Sequence, residues 1–390
     1  MNQSTRPVWA EINLDHLAHN ISEVRRVTKK EALVTAVIKA DGYGHGAIQI
    51  GQTLLNNGAD RFAVATLSEA LQLRSAFPSV EIMVLGYTPD ELIHDAISAR
   101  IIQTVYSLEQ AIYFNRIAAS MTATLKVHIK LDTGMRRIGF ECNDAAIDAV
   151  VQIANLDRLE LEGIYSHFAV ADETDKTFTH LQASKFSKFI KQLEDNGVTI
   201  PIKHICNSAG IIDFPEYHFD MVRAGIMMYG LYPSDEVEIS KVDLRQVMSL
   251  KARVSHVKMI EAGEGVSYGL KYVSDRPIQV ATLPLGYADG YTRMLTGKAK
   301  GLISGELKPI IGRICMDQCM IEADQLSVTV GDVVTLFGKD ECEALSIDQI
   351  AAWLGTINYE VVCMIGKRVP RHYHRKGNCE MVYDTILRQK

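Results

Sequence analysis

Lys39 closes an apolar run and stands directly before a glycine-rich turn, in the stretch Val37-Ile38-Lys39-Ala40-Asp41-Gly42-Tyr43-Gly44-His45-Gly46. A lysine so placed is partly desolvated, which favours its neutral amine and makes it a candidate nucleophile toward an aldehyde cofactor. The same position also suits a lysine that merely caps a strand at the surface. A rival reading takes Gly42, Gly44 and Ala47 as G-x-G-x-x-A after a strand, with Glu69 as the ribose-binding acid of a dinucleotide site. A lysine in the turn has no role in that fingerprint. Lys130-Leu131-Asp132-Thr133-Gly134-Met135-Arg136-Arg137 gathers four charged groups beside a turn glycine, the ordinary reading of which is solvated loop charge. His167 and His204 each follow or end an apolar run, where a lone histidine usually serves structure. Small residues after Arg223 leave backbone N–H groups open, so Ser208, Gly225 and Ile226 are candidates for a phosphate cradle. A desolvated lysine, a phosphate cradle and a central arginine are what pyridoxal 5′-phosphate requires.

These residues need elements that bring them to one place. Eight short apolar runs alternate with amphipathic stretches: Leu33 to Ile38, Phe62 to Thr66, Glu81 to Leu85, Ile101 to Val105, Leu125 to Leu131, Leu161 to Ser166, Pro201 to Cys206 and Phe219 to Val222. Helices are expected between them, for example Leu108 to Ala119 behind Ser107 as N-cap, and Lys176 to Asn196 stopped by Gly197. The reading is α/β: a (β/α)8 TIM-type barrel over residues 1–235, its candidate residues at the carboxyl ends of the strands. Six strands, as a dinucleotide fold would have, are too few. After residue 235 the texture changes to strands and glycine-marked turns, giving a mostly β C-terminal domain over 236–390 with Ala252 to Ile260, Ile278 to Pro284, Gly301 to Met320 and Asp332 to Phe337 as strand regions. One helix, Ser346 to Leu354, interrupts it, and an N-terminal strand at 9–14 is expected to join that sheet.

Composition narrows the function. The 390 residues include 41 Lys plus Arg against 47 Asp plus Glu, a net charge of −6 that argues against a nucleic-acid partner. No stretch reaches the roughly 18 unbroken apolar residues of a spanning helix, and the amino terminus is polar, so a cytoplasmic protein without membrane contact is expected. Seven scattered cysteines without a C-x-x-C pair suit reduced thiols, with neither disulfides nor metal expected. His372-x-His374 reads as a solvated tail segment.

The Lys39 stretch resembles the cofactor-lysine motif of the alanine racemases. The similarity continues, in the family's order and over nearly the whole chain, through Lys130-Leu131-Asp132-Thr133-Gly134-Met135, Gly265-Val266-Ser267-Tyr268-Gly269, Pro284-Leu285-Gly286-Tyr287-Ala288-Asp289-Gly290 and Gly312-Arg313-Ile314-Cys315-Met316-Asp317-Gln318. The resemblance implies interconversion of L- and D-alanine on pyridoxal 5′-phosphate, the D-alanine serving cell-wall peptidoglycan or catabolism. It implies Lys39 as cofactor lysine and base on one face of the substrate, and Tyr268 as base on the other, supported by His167. It further implies Arg223 on the pyridine nitrogen with His204 behind it. Tyr43, Ser208, Gly225, Ile226 and Tyr359 match phosphate-binding positions. Arg137 matches the arginine that steadies substrate and cofactor oxygens, and Lys130 a position carbamylated in some members. Met316 and Tyr287 match substrate contacts, and Arg313 lines the entrance. A head-to-tail homodimer with composite sites follows by the same resemblance. The alternatives are a serine or broader-specificity amino-acid racemase of this fold, a decarboxylase of the same barrel class, a non-catalytic pyridoxal-phosphate-binding protein, and a nicotinamide-dependent oxidoreductase.

Overall fold

The computed structural model describes residues 6–340 and 343–387, so Cys342 lies outside the described residues. They divide into two compact units, one holding Leu17–Gly42 and Ala47–Arg245, the other the residues up to His16, Tyr43–Gly46 and those from Gln246 onward.

The first strand of the chain, β1 (Val8–Asn13), belongs to the second of these units; eight later strands build the barrel of the first. They are β2 (Leu33–Val37), β3 (Arg61–Val64), β4 (Ile82–Val84), β5 (Gln103–Val105), β6 (Leu125–Asp132), β7 (Leu159–Tyr165), β8 (Ile202–His204) and β9 (Met221–Ala224). Parallel pairing runs β9-β2-β3-β4 and β5-β6-β7-β8. A parallel bridge between Met83 and Ile102 joins the two sheets at one seam. At the other seam the amides of Asp220 and Arg223 donate to the carbonyls of Lys203 and Cys206. The ring is therefore a closed eight-stranded barrel. All eight apolar runs form strands, and the helices stand where capping places them. Ser107 Oγ accepts from the Gln110 amide ahead of helix Leu108–Ser120, and helix Thr177–Asp195 ends before Gly197 at φ 81°.

Alternation along β6 sorts its side chains. Leu125, Val127, Ile129 and Leu131 share one side, while Lys126, His128 and Lys130 share the other. His128 reaches His204 on β8, and Arg61 on β3 reaches Glu162 on β7. These strands are not neighbours, so both contacts run through the barrel interior, which is polar here. Gly163 makes room: a Cβ there would sit 2.3 Å from the His128 ring.

The second unit is a mostly antiparallel sheet. Its further strands are β10 (Met248–Arg253), β11 (His256–Ile260), β12 (Ile278–Leu283), β13 (Lys300–Ile303), β14 (Glu306–Ile311), β15 (Cys319–Glu322), β16 (Val333–Lys339), β17 (Arg371–Arg375) and β18 (Asn378–Tyr383). They lie in the order β11-β12-β15-β14-β13-β16-β10-β1-β17-β18. The N-terminal strand joins this sheet, antiparallel to β10 and parallel to β17, although Leu14 opens helix Leu14–Val27 instead of ending the strand. The stretch Ala252 to Ile260 is not one strand: β10 pairs with β1 and β16, while β11 turns away to pair with β12. Ser346 caps helix Ile347–Leu354, and a second helix, Asn358–Met364, follows where none was expected. At 7 residues, with no side-chain cap at Ile357, it is too short to leave a periodic signal. Among the described residues no helix is long and apolar enough to cross a membrane.

The turn after β2 is the most strained backbone near the candidate site. Ala40, Asp41, Gly42 and Tyr43 are consecutive left-handed residues, with φ of 51°, 52°, 63° and 52°. Three are not glycine, and each left-handed L residue costs about 1–2 kcal/mol. Glu69 holds the turn in place: its Oε1 accepts from the Ala40 amide at 2.6 Å, and its Oε2 from the amides of Ala65 and Thr66. Asp41 Oδ1 accepts from the Ala47 amide. With its carboxylate taken by three backbone donors, Glu69 is not a ribose ligand, and the dinucleotide reading fails on that residue. Replacing Glu69 with Ala should therefore cost about 2 kcal/mol, the loss of a helix cap and of charged hydrogen bonds to the turn. Urea unfolding of purified protein measures it; a loss below about 0.5 kcal/mol would contradict this role.

Candidate active site

The carboxyl ends of the barrel strands collect positive charge. Lys39 follows β2, Lys130 lies near the end of β6, Arg137 follows in the next loop, and Arg223 lies in β9. All four act on His167, the second residue after β7. Burial, then Arg223, Arg137, Lys130 and Lys39 in that order, hold its imidazole well below the ordinary histidine pKa. His167 is accordingly neutral, and the barrel end suits an anionic ligand.

Arg223 is buried and makes four contacts. Nη1 donates to His204 Nδ1 at 2.7 Å; Nη2 donates to the carbonyls of Ser166 (2.8 Å) and Ile205 (3.0 Å) and faces His167 Nδ1 at 3.2 Å. Burial lowers its pKa to about 10, so it stays charged at neutral pH. A guanidinium has no acceptor, which fixes the protons beyond it. His204 Nδ1 must be bare, so its Nε2 carries the proton and donates to His128 Nδ1 at 2.9 Å. His128 is then protonated on Nε2 and donates to Glu162 Oε2 at 2.8 Å. Burial lowers the pKa of both histidines, in agreement with this chain of neutral rings. Glu162 ends the chain: burial opposes its charge, but the His128 hydrogen bond and the Arg61 guanidinium, 2.9 Å away, hold it well below the carboxylate range. Lys126 donates to its other oxygen at 3.2 Å and to Glu81 at 2.9 Å.

Tyr165 forms a wall between the Lys130 amine and the Arg223 guanidinium. Its ring stacks on His204 at 4.8 Å, with Lys130 Nζ 5.1 Å and the Arg223 guanidinium 5.2 Å from its centroid. Its hydroxyl meets Thr104 Oγ1 at 2.9 Å, and burial pushes its pKa up to about 12. Lys130 is buried and donates to the Leu131 carbonyl at 2.7 Å. Burial, then Arg223 and Arg137, lower its pKa to about 7, so a large share of this amine is neutral at physiological pH.

After β8 and β9 the chain is poised for an anion. Ser208 is buried, and its Oγ accepts from the Gly225 amide at 3.1 Å. Ile226 opens a helical turn, Ile226–Tyr229, and its N–H has no acceptor within that turn. Among the described residues Arg223 Nε has no acceptor either, which leaves one donor of a permanent cation for a ligand atom. An amine, hydroxyl and amide donors for a phosphate, and a donor for a ring nitrogen together fit pyridoxal phosphate.

The second unit brings the remaining candidates into two groups. Tyr43 and Tyr359 approach with ring centroids 6.3 Å apart, and burial raises the Tyr43 phenol pKa so far that it is a permanent donor. Tyr268 and Met316 line an open groove of 590 Å³ with Ser267, Cys315 and Asp317. Both are largely exposed, at 71% and 52%. Ser267 Oγ donates to the Arg313 carbonyl at 2.6 Å, tying the two loops together. Gly286 precedes the 41%-exposed Tyr287, and a Cβ there would meet the Cys315 carbonyl oxygen at 2.2 Å, so only glycine lets these loops touch.

Sequence reasoning missed His128, Glu162, Arg61 and Tyr165. The available signal was the ionisable half of β6, Lys126, His128 and Lys130, in a strand whose other half is apolar.

Two family models match the chain: the alanine racemase N-terminal domain over residues 12–233 and the alanine racemase C-terminal domain over 247–373. Alanine racemase 1 of Clostridium acetobutylicum is 48% identical over 387 residues, 99% of this chain and 100% of that one. The solved structure of an alanine racemase of Clostridium difficile superposes with a TM-score of 0.95 at 43% identity, covering 98% of this chain and 100% of that one. That of an alanine racemase from Bacillus anthracis with bound L-Ala-P gives 0.94 at 35%, covering 99% of both chains.

The neutral histidines make stability pH-dependent with a definite sign. His128, His167 and His204 have depressed native pKa values, while the unfolded chain takes up protons near pH 6.5. Stability should be full above that pH and fall below it, by up to about 1.4 kcal/mol per histidine per pH unit. Denaturant midpoints measured from about pH 8 to pH 5 check this; an unchanged midpoint would contradict it.

Proposed function

The chain belongs to the alanine racemase family and interconverts L- and D-alanine, and we propose that Lys39 and Tyr268 exchange the Cα proton from opposite faces of the substrate. The observation that carries the proposal is the cationic barrel end, where Lys39 stands with Lys130, Arg137 and Arg223 around a neutral His167. Pyridoxal 5′-phosphate, when bound, supplies the electron-withdrawing ring that makes the Cα proton of an attached amino acid acidic. Lys39 would hold it through its amine. Ser208, the amides of Gly225 and Ile226, and the hydroxyls of Tyr43 and Tyr359 would hold its phosphate, and Arg223 Nε would donate to its ring nitrogen.

Racemisation needs a proton taken from one face of Cα and another returned on the opposite face. Lys39 Nζ serves one face. Tyr268 Oη serves the other, where the phenolate that takes the proton needs a hydrogen-bond donor beside it. His167 can give that help, because with Nδ1 turned to Arg223 its Nε2 carries the proton and can donate to a phenolate. Arg137 would steady the substrate carboxylate with the Met316 amide, and Tyr287 would limit the room for larger side chains. Lys130, as a neutral buried amine, is suited to react with carbon dioxide, its nitrogen forming the new C–N bond as a proton leaves. The carbamate would then orient Arg137.

Tyr268, Tyr287 and Met316 are exposed on their own unit, together with Leu270 at 61% and Met294 at 65%. Such residues call for a covering surface. We assign it to the barrel mouth of a second copy, in a head-to-tail homodimer whose two sites each take Lys39 from one protomer and Tyr268 from the other. A cytoplasmic setting agrees with the free thiols at Cys142, Cys206, Cys315, Cys319 and Cys379. Alanine is favoured over serine or broader specificity by family matches that span nearly the whole chain.

Lys39→Ala and Tyr268→Phe should each lower racemisation by about 100-fold or more. Tyr268→Phe should still exchange the Cα proton of one enantiomer with deuterated water. Mixing the two inactive variants should restore activity, because the hybrid dimer regains one intact site. Wild-type turnover by either variant, or no restoration on mixing, would contradict the assignment. Arg223→Glu should raise transamination relative to racemisation, since a carboxylic acid can hand a proton to the ring nitrogen and a guanidinium does not. An unchanged product ratio would contradict that role.

A further inference from the structure

The C-terminal hairpin holds three side chains for which the racemase chemistry has no use. Strands β17 and β18 are joined by the two-residue turn Lys376-Gly377, with φ of 48° and 76°. Such a turn matches the twist of the strands and fixes their register, here pairing Arg375 with Asn378 and His374 with Cys379. His372 and His374 lie two residues apart on β17 and so share a face. One ring nitrogen of each and Cys379 Sγ lie within 4.8 Å of one another. His372-x-His374 is thus not a solvated tail segment, as its sequence suggested, but the half-buried side of a strand.

A second observation points to a ligand. The Nε2 atoms of His372 and His374 are both buried, and neither has a hydrogen-bond partner among the described residues. Buried polar atoms are nearly always satisfied, so two orphans side by side mark a missing partner. Glu11 on β1 lies in register with His372, its carboxylate held by Lys251 at 2.8 Å and Trp9 Nε1 at 3.1 Å. Trp9 stacks on the His372 ring at 5.6 Å and orients it.

We propose that His372, His374 and Cys379 bind one Zn²⁺-type cation, with water as the fourth ligand, and that the ion fastens β18 to β17. Two imidazoles and a thiolate select a borderline metal such as Zn²⁺ over Mg²⁺ or Ca²⁺, which prefer oxygen. On binding, the Cys379 S–H proton leaves to solvent and the sulfur lone pair enters the new bond to the ion. Nothing is oxidised or reduced. The site is built from the second unit alone and shares no residue with the racemase chemistry.

Untagged full-length holoenzyme, stripped with chelator and dialysed against Zn²⁺, should retain one ion per chain. His374→Ala and Cys379→Ser should each weaken binding at least tenfold while leaving racemase activity unchanged. Zn²⁺ should also slow alkylation of Cys379 but not of Cys363, which is likewise exposed; this readout needs no variant. Absence of bound Zn²⁺, equal binding by both variants, or equal alkylation of Cys379 with and without Zn²⁺ would overturn the proposal.

Discussion

A permanent cation buried inside a barrel constrains everything around it. Arg223 cannot give up its proton at neutral pH and cannot accept one, so every neighbour must present an acceptor. The Ser166 and Ile205 carbonyls do, and so do the Nδ1 atoms of His204 and His167. That demand passes from ring to ring through His204 and His128 until it meets a carboxylate at Glu162. The barrel interior is thereby ordered as a one-way series of donors, with its negative charge at the far end shared with Arg61 and Lys126. Breaking any member leaves an unsatisfied buried group, which costs more than the bond itself contributes.

The same arrangement explains the electrostatics at the barrel end. Because Glu162 is already engaged, it does not neutralise Arg223 and Arg137, and a surplus of positive charge remains where the strands finish. An anionic group such as a phosphate or a carboxylate would relieve it. Burial, with this surplus behind it, lowers the Lys130 pKa and keeps His167 uncharged, so that one residue type supplies an amine able to react and another a ring able to donate. Backbone strain adds to this. The left-handed turn after Lys39 persists because Glu69 and Asp41 bind its amides, and strain held in this way fixes where the lysine leaves the strand.

The sequence made the barrel legible because most of its strands sit in short apolar, often β-branched runs, which leave a signal that does not depend on the rest of the fold. Helix Asn358–Met364 left no such signal, being shorter than the window in which helical periodicity registers. Lys39, Arg223 and the candidate phosphate cradle were singled out by their place at strand ends. Tyr268, Tyr287 and Met316 could not: they are exposed residues on short turns, and only the family motifs single them out. Glu162 and His128 were hidden for the opposite reason. They lie inside strands where apolar residues are the rule, and their meaning depends on partners on other strands. Glu69 was misread because a carboxylate after a second strand fits both a ribose and three backbone amides, and spacing alone does not distinguish them.

The directed series of protons from Arg223 to Glu162 is the central claim, and nitrogen-15 NMR of the histidine side chains tests it directly. His204 and His128 should each be neutral at about pH 8, with a bare Nδ1 and a protonated Nε2. An imidazolium at either residue, or a proton on either Nδ1, would contradict the account.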